Sequence, residues 1–83
     1  MKSYICYNSG NEPEPFVVIA DSPHAIAEGV TSALSELCGG VRRGFYRKGA
    51  DTVVKWRDNM GDEFEIYCIP ATVYSSRQNA VAS

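Results

Sequence analysis

The stretch that decides the fold is residues 41–69, VRRGFYRKGADTVVKWRDNMGDEFEIYCI. If residues 58–62 form a loop, the flanking residues pair across two antiparallel strands in a single register. The pairs of this register are Arg57–Glu63, Trp56–Phe64, Lys55–Glu65, Val54–Ile66 and Val53–Tyr67. Opposite charges then meet on one face and apolar side chains on the other, which stabilises cross-strand pairs. A shift by one residue would exchange the two faces, so the stretch predicts a hairpin with one buried and one exposed face.

A second hairpin is predicted just before the first, with its turn at residues 48–51, KGAD. The glycine lies at the first central position, where a type II′ turn needs a positive φ. This register places Phe45 opposite Val54 on the buried face. It also places Arg43 opposite Trp56 on that face. The side chains expected on the exposed face are Arg42, Tyr46, Val53, Lys55 and Arg57.

Two further strands and one helix are predicted in the N-terminal half. Residues 3–8 are rich in strand formers. Residues 16–20, FVVIA, are apolar on both faces, which is typical of a central strand. A helix is expected to begin after Ser22 as its N-cap and to end at Gly39 and Gly40. Between these limits, the apolar residues that recur at helical spacing are Ile26, Val30, Ala33, Leu34 and Leu37.

These elements predict a single α+β domain over residues 1–74, in the order strand, strand, helix and then three strands (ββαβββ). The sheet is expected to be antiparallel, with about five strands and the helix packed on one face. Gly29 lies inside the helix, where the absence of a side chain would let the helix approach the sheet closely. Residues 75–83 are small and polar, and we expect them to fray.

The chain has 83 residues and a net charge of −2, and its charges are segregated along the sequence. Residues 41–57 contain six basic residues and one aspartate, a local charge of +5, whereas residues 58–65 contain four acidic residues and no basic one. Such segregation creates local fields despite the small total. No apolar run approaches the roughly 20 residues that cross a bilayer, and the N-terminus lacks the apolar stretch of a signal peptide. We therefore expect a soluble cytoplasmic protein that does not bind membranes.

The residues that commonly carry catalysis form no catalytic pattern in this sequence. His24 is the only histidine and lies in the first turn of the predicted helix, with no nucleophile at a suitable spacing. Cys6, Cys38 and Cys68 have neither a disulfide nor a metal-ligand spacing, and we expect buried, unreactive thiols in a reducing cell. The glycines form no phosphate-binding motif. We therefore expect no enzymatic activity, no cofactor and no metal site.

The exposed face of the predicted sheet is the candidate binding surface, because it combines basic and aromatic side chains. Tyrosine and arginine are favoured at interfaces, since both offer contact area and directional hydrogen bonds. The candidate partner-binding residues are Arg42, Tyr46, Lys48, Lys55, Arg57 and Tyr67. An alternative is a solvated face on which Glu63 and Glu65 neutralise the neighbouring cations.

Four segments in the first half of the chain follow an order known from one protein family. They are a short strand at residues 2–5, the apolar strand at 16–20, the Ala-rich helix start at 25–27 and a Gly-Phe-Tyr strand start at 44–46. In this layout the chain resembles small phage-encoded anti-CRISPR proteins, in particular inhibitors of type I systems. The resemblance is architectural. The family shares no catalytic or binding signature, so no functional residue is transferred from it.

The resemblance implies a stoichiometric inhibitor that docks on a type I CRISPR surveillance complex in the cytoplasm of an infected bacterial host. Such an inhibitor would block target DNA binding or nuclease recruitment. The residues themselves indicate a protein-binding module, monomeric or homodimeric, with an aromatic face of mixed charge. The alternative is a small nucleic-acid-binding domain that uses the same basic and aromatic face. The net negative charge and the nearby glutamates count against that alternative.

Overall fold

The computed structural model describes residues 2–8 and 14–73, which form a five-stranded antiparallel sheet with one long helix on one face. The elements are β1 (Lys2–Asn8), β2 (Phe16–Ala20), α1 (Pro23–Leu37), β3 (Val41–Lys48), β4 (Asp51–Arg57) and β5 (Glu63–Pro70). Residues 71–73 are helical. The predicted α+β fold with the element order ββαβββ is confirmed. The predicted tail at residues 75–83 lies outside the described residues.

The β4–β5 hairpin forms in the register that the sequence predicts, with all five predicted pairs present. Asp58 closes its loop, because the Asp58 Oδ1 accepts hydrogen bonds from the backbone N–H groups of Met60 (2.9 Å) and Asp62 (3.0 Å). Gly61 has a φ of 86°, a left-handed conformation that glycine adopts without strain. This hairpin fixes which side chains of β4 and β5 face the helix.

The β3–β4 hairpin forms with the predicted turn. Lys48 pairs with Asp51, and Gly49 between them has a φ of 64°, as a type II′ turn requires. Phe45 pairs with Val54, as predicted. The register that the turn sets therefore extends along most of the hairpin.

The register of β3 shifts near the start of the strand. A β-bulge between Arg42 and Gly44 inserts one extra residue. Arg42 instead of Arg43 therefore lies opposite Trp56, and the predicted Arg43–Trp56 pair is wrong. The alternation of residue types does not reveal this bulge, because two adjacent arginines are chemically equivalent.

α1 covers one face of the sheet and forms the core with it. Ser22 is the N-cap, as predicted, and its Oγ accepts a hydrogen bond from the N–H of Ala25 at 3.2 Å. The buried residues of α1 are Ile26, Ala27, Val30 and Leu34. Leu37, which the helical spacing places in the same stripe, is 60% exposed at the end of the helix. There the Nε1–H of Trp56 donates to the carbonyl of Gly39 at 3.0 Å, which holds the end of α1 against β4.

The predicted buried face of the C-terminal strands is confirmed for most of its members. The fully buried residues are Val54, Trp56 and Ile66. Phe64 is partly buried against the core. Phe45 is 36% exposed, because it lies on the edge strand β3. Its ring centroid lies 6.0 Å from that of His24 and 5.7 Å from the guanidinium carbon of Arg42.

β2 lies at the edge of the sheet, so the prediction of a central strand is wrong. The strand order is β2-β1-β5-β4-β3. Val18 and Ala20 are buried on the face that α1 covers, at 6% and 3% exposure. Val17 and Ile19 point to the other face and are 60% and 64% exposed. Apolarity on both faces does not indicate a central position here, because one apolar face stays largely exposed.

Gly29 lets α1 pack closely on β2, as the sequence suggests. A Cβ at Gly29 would lie 2.6 Å from Cγ1 of Val18, well inside van der Waals contact. Val18 is itself buried under the helix and cannot turn away into solvent. The glycine therefore favours close packing at the expense of helix propensity.

We expect Gly29→Ala to destabilise the fold by up to about 2 kcal/mol, because overpacking against Val18 costs about 1–3 kcal/mol and outweighs the roughly 1 kcal/mol gain in helix propensity. In a Val18→Ala background the clash is removed, so the same Gly29→Ala substitution should be neutral or stabilising. Chemical denaturation of the four proteins in this double-mutant cycle measures the coupling. An equal effect of Gly29→Ala in both backgrounds would contradict the packing explanation.

Candidate functional site on the open face of the sheet

The open face is the face of the sheet opposite α1, and aromatic side chains cross it in one row. Because side chains alternate along a strand, the neighbours of the residues buried under α1 point to this face. Consecutive partners in the strand pairing of β1, β5, β4 and β3 form the row, which we call the tyrosine row: Tyr7, Tyr67, Val53 and Tyr46. The rings of Tyr7 and Tyr67 are in contact, with their centroids 5.8 Å apart.

Glu65 connects two members of the tyrosine row. The Tyr46 hydroxyl donates to Oε2 of Glu65 at 3.1 Å, and the Tyr67 hydroxyl donates to Oε1 at 3.3 Å. Each carboxylate oxygen therefore accepts one tyrosine hydroxyl, and the two side chains come from opposite neighbours of β4. This arrangement holds both hydroxyl groups in defined positions on the open face.

Val53 is fully buried, although it lies on the open face and was expected to be exposed. Its cross-strand partners are Tyr46 on one side and Tyr67 on the other. These two partners are also the side chains whose hydroxyls Glu65 holds, so we attribute the burial of Val53 to the rings beside it. The prediction that this whole face is exposed to solvent is therefore wrong at the centre of the face.

The negative charge of Glu65 raises the pKa of both tyrosines above the usual value of 10.0. For Tyr46 the largest cause is the hydrogen bond to Glu65, and for Tyr67 it is the charge of Glu65 itself. In both cases the deprotonated phenolate would lie beside a carboxylate. Both hydroxyls therefore remain hydrogen-bond donors throughout the physiological pH range.

The two predicted cations on β4 have different surroundings. Nη2 of Arg57 donates to Oε2 of Glu63 at 3.2 Å, in an exposed ion pair of the kind that contributes about 1 kcal/mol or less. Lys55 lies opposite Glu65 in the register, but its ammonium lies 5.7 Å from the centroid of the Tyr46 ring. Among the described residues, the expected direct ion pair is therefore present at Arg57 and absent at Lys55.

Arg42 does not lie on the open face, so its predicted position is wrong. The bulge in β3 turns its side chain to the helix side, where Nη1 donates to Oγ1 of Thr31 at 3.2 Å. Lys48 lies two residues beyond Tyr46, on the same face and at the exposed end of the turn. The predicted site residues that the structure brings together on the open face are Tyr46, Lys48, Lys55, Arg57 and Tyr67.

Sequence reasoning missed two residues of this site. Tyr7 joins the row only because β1 pairs with β5, and no local pattern contains that long-range pairing. Glu65 was interpreted as the partner of a cation, although its position between two tyrosines follows from the two predicted hairpin registers. The signal for this second role is a tyrosine two residues along β5 from Glu65 and another on β3, across β4 on the same face.

His24 is exposed in the first turn of α1, and its Nε2 lies 3.3 Å from Oε1 of Glu28. No group of three or more metal-ligating side chains occurs in the part of the chain that the structure describes. None of the described helices has the length and apolar character that crossing a bilayer requires.

The cysteines have two kinds of environment. Cys6 and Cys68 are fully buried and lie directly opposite each other in β1 and β5. The hydrogen bond with Cys68, followed by burial, raises the pKa of Cys6 far above its usual value. Cys38 is only partly buried, contrary to expectation. Burial and the nearby charge of Asp58 raise its pKa as well.

Comparisons of the chain with protein-family models, with curated proteins and with solved structures found no match. The open face is the surface of this molecule that its own residues mark for binding. Its central features are the tyrosine row, the Glu65 carboxylate and the two cations of β4.

We expect Glu65→Gln to lower the pKa of Tyr46 and Tyr67 towards 10.0, because the substitution removes the negative charge that disfavours the phenolates. An alkaline titration followed by tyrosine absorbance should then begin at lower pH than in the wild type. Glu63→Gln is the matched control, since Glu63 bonds to Arg57. Identical titrations of wild type and Glu65→Gln would show that Glu65 does not hold the two hydroxyls.

We expect the native protein to have one slowly reacting thiol, Cys38, and the other two to react only after unfolding. The raised pKa of Cys38 leaves less thiolate at about pH 8 than a free cysteine has, so its rate should keep increasing above pH 9. Thiol titration with and without denaturant measures this pattern. Cys38→Ser should remove the native reaction, and a fast native reaction in that variant would contradict the burial of Cys6 and Cys68.

Proposed function

We propose that this protein is a small non-enzymatic binding module that inhibits a protein partner by docking on it through the open face. One observation carries the proposal. The tyrosine row lies on the sheet face opposite the helix, with two of its hydroxyls held by Glu65, with Lys55 in the next row and with Arg57 one row beyond. Tyr46 is 40% exposed and is the ring most available to a partner.

The chemistry of this surface favours a protein partner. Tyrosine and arginine supply much of the binding energy at protein interfaces, because they combine contact area with directional hydrogen bonds. The hydrogen bonds of Tyr46 and Tyr67 to Glu65 restrict these side chains before binding, which lowers the entropic cost of ordering them. The basic and acidic groups in adjacent rows would select a partner of complementary charge and fix its orientation.

In its specific form, the proposal names a type I CRISPR surveillance complex as the partner. The support is the resemblance in element order to small anti-CRISPR proteins, together with a compact sheet that offers one broad face. Docking there would block target DNA binding or nuclease recruitment by occupying the surface that either step needs. The protein would then act stoichiometrically, in the cytoplasm of an infected bacterium.

A nucleic-acid partner is the second candidate, and the basic edge of the sheet favours it. Arg43, Arg47 and Lys48 are all exposed on β3, the strand that contains Tyr46. Phosphate contacts from this edge would release counterions, so binding would weaken steeply as salt rises. The carboxylates of Glu63 and Glu65 would repel the phosphates of a nucleic acid that extends beyond this edge. This repulsion makes the nucleic-acid partner the weaker proposal.

We expect Tyr46→Ala and Lys55→Glu each to weaken binding to a type I surveillance complex by at least about tenfold. Tyr46→Ala truncates an aromatic residue at the interface, and Lys55→Glu reverses a charge that complements the partner. Ser35→Ala, on the exposed side of α1, is the matched control and should bind like the wild type. Titration calorimetry measures the affinities, and phage growth on a host with active type I immunity reports inhibition.

Two results would overturn parts of the proposal separately. If the wild type neither binds purified type I complexes nor restores phage growth, the CRISPR assignment is wrong. If it binds but Tyr46→Ala and Lys55→Glu bind equally well, the assignment of the open face is wrong. Binding to short nucleic acids that disappears with salt, without binding to protein, would instead favour the second candidate.

A further inference from the structure

The two edges of the sheet differ in how they resist pairing with another strand. β3 carries three exposed basic residues and a β-bulge, and both are features that prevent edge-to-edge association. β2 has no charged residue, and all five of its residues pair with β1 in an unbroken register. Within the described residues, β1 is the only strand that pairs with β2. Among residues 2–8 and 14–73, the β3 edge is therefore protected and the outer edge of β2 pairs with no strand.

The side chains of β2 add an apolar surface to this open edge. Val17 and Ile19 point to the open face and are 60% and 64% exposed. An apolar edge strand of this kind is a template for pairing with another chain. The identity of that chain can be argued from the sequence of β2, because its residues are complementary to themselves.

We propose that β2 pairs with β2 of a second copy of this chain, in antiparallel orientation about a two-fold axis at Val18. In this register Phe16 lies opposite Ala20 of the second copy, so a large side chain meets a small one under the helices. Val17 lies opposite Ile19 of the second copy, so the two exposed apolar side chains cover each other. Both pairings occur twice because the axis repeats them.

The charges that flank β2 are compatible with this register. Glu14 lies opposite Ser22 of the second copy, and Asp21 lies opposite Pro15 of the second copy. The two exposed carboxylates of each chain therefore meet no carboxylate directly across the axis. Like charges placed directly opposite would destabilise the pairing.

The other edge that β2 could pair with is the β3 edge of another molecule. Contact between β2 of one molecule and β3 of the next is heterologous, however, and it would continue into an open chain of molecules. The bulge in β3 also disfavours it. Pairing of β2 with itself closes after two copies and gives one ten-stranded sheet with both helices on the same side.

The register can be tested by placing charges at positions 17 and 19. Wild-type protein should have about twice the 9.1 kDa mass of a single chain in sedimentation equilibrium. The double substitution Val17→Lys with Ile19→Lys puts lysine opposite lysine at both ends of the interface and should give a monomer. Val17→Glu with Ile19→Lys puts glutamate opposite lysine instead, and should restore a dimer that dissociates as salt is raised.

Val41→Lys is the matched control, because Val41 is 53% exposed on the edge strand β3 and its substitution should leave the dimer intact. Hydrogen exchange on the wild type gives a measurement that needs no variant. Protection of the amides of Phe16–Ala20 should increase with protein concentration, and that of β3 should not. A monomeric wild type, a dimeric double-lysine variant or a monomeric glutamate–lysine variant would each overturn the proposal.

Discussion

The register between β4 and β5 is the constraint on which the rest of this structure depends. It places Val54 and Trp56 under α1, and alternation then forces Val53 and Lys55 to the opposite face. The β4–β5 register therefore determines both the core and the candidate binding surface. A register shift of one residue would bring charged side chains under the helix, which is costly because buried charges need partners.

A single carboxylate organises the open face. Glu65 holds the hydroxyls of Tyr46 and Tyr67 on the two neighbours of β4, and these two tyrosines are the cross-strand partners of the buried Val53. The surface is therefore ordered before any partner arrives, and its order does not depend on an ion pair with Lys55. Salt should disturb it less than a surface of simple charge pairs, because hydrogen bonds between neighbouring groups are less screened.

Features that depend on segments close together in the sequence could mostly be predicted from it. The β4–β5 register follows from charge and apolarity across one loop, and the N-cap at Ser22 follows from local capping chemistry. The errors arise from one concealed local irregularity and from contacts between distant segments. Arg42 lies on the helix side because of a bulge that two equal arginines conceal, and β2 lies at the edge because β5 returns to pair with β1. The burial of Val53 depends on side chains from two other strands.

The pairing of β1 with β5 joins the first strand of the fold to the last. During synthesis the β1–β2 hairpin and α1 leave the ribosome first, but the sheet cannot become continuous until β5 emerges. Closing so long a loop is entropically costly and slows folding. For that interval the inner edge of β1 is unpaired, so a nascent chain of this protein can associate with other nascent chains through that edge.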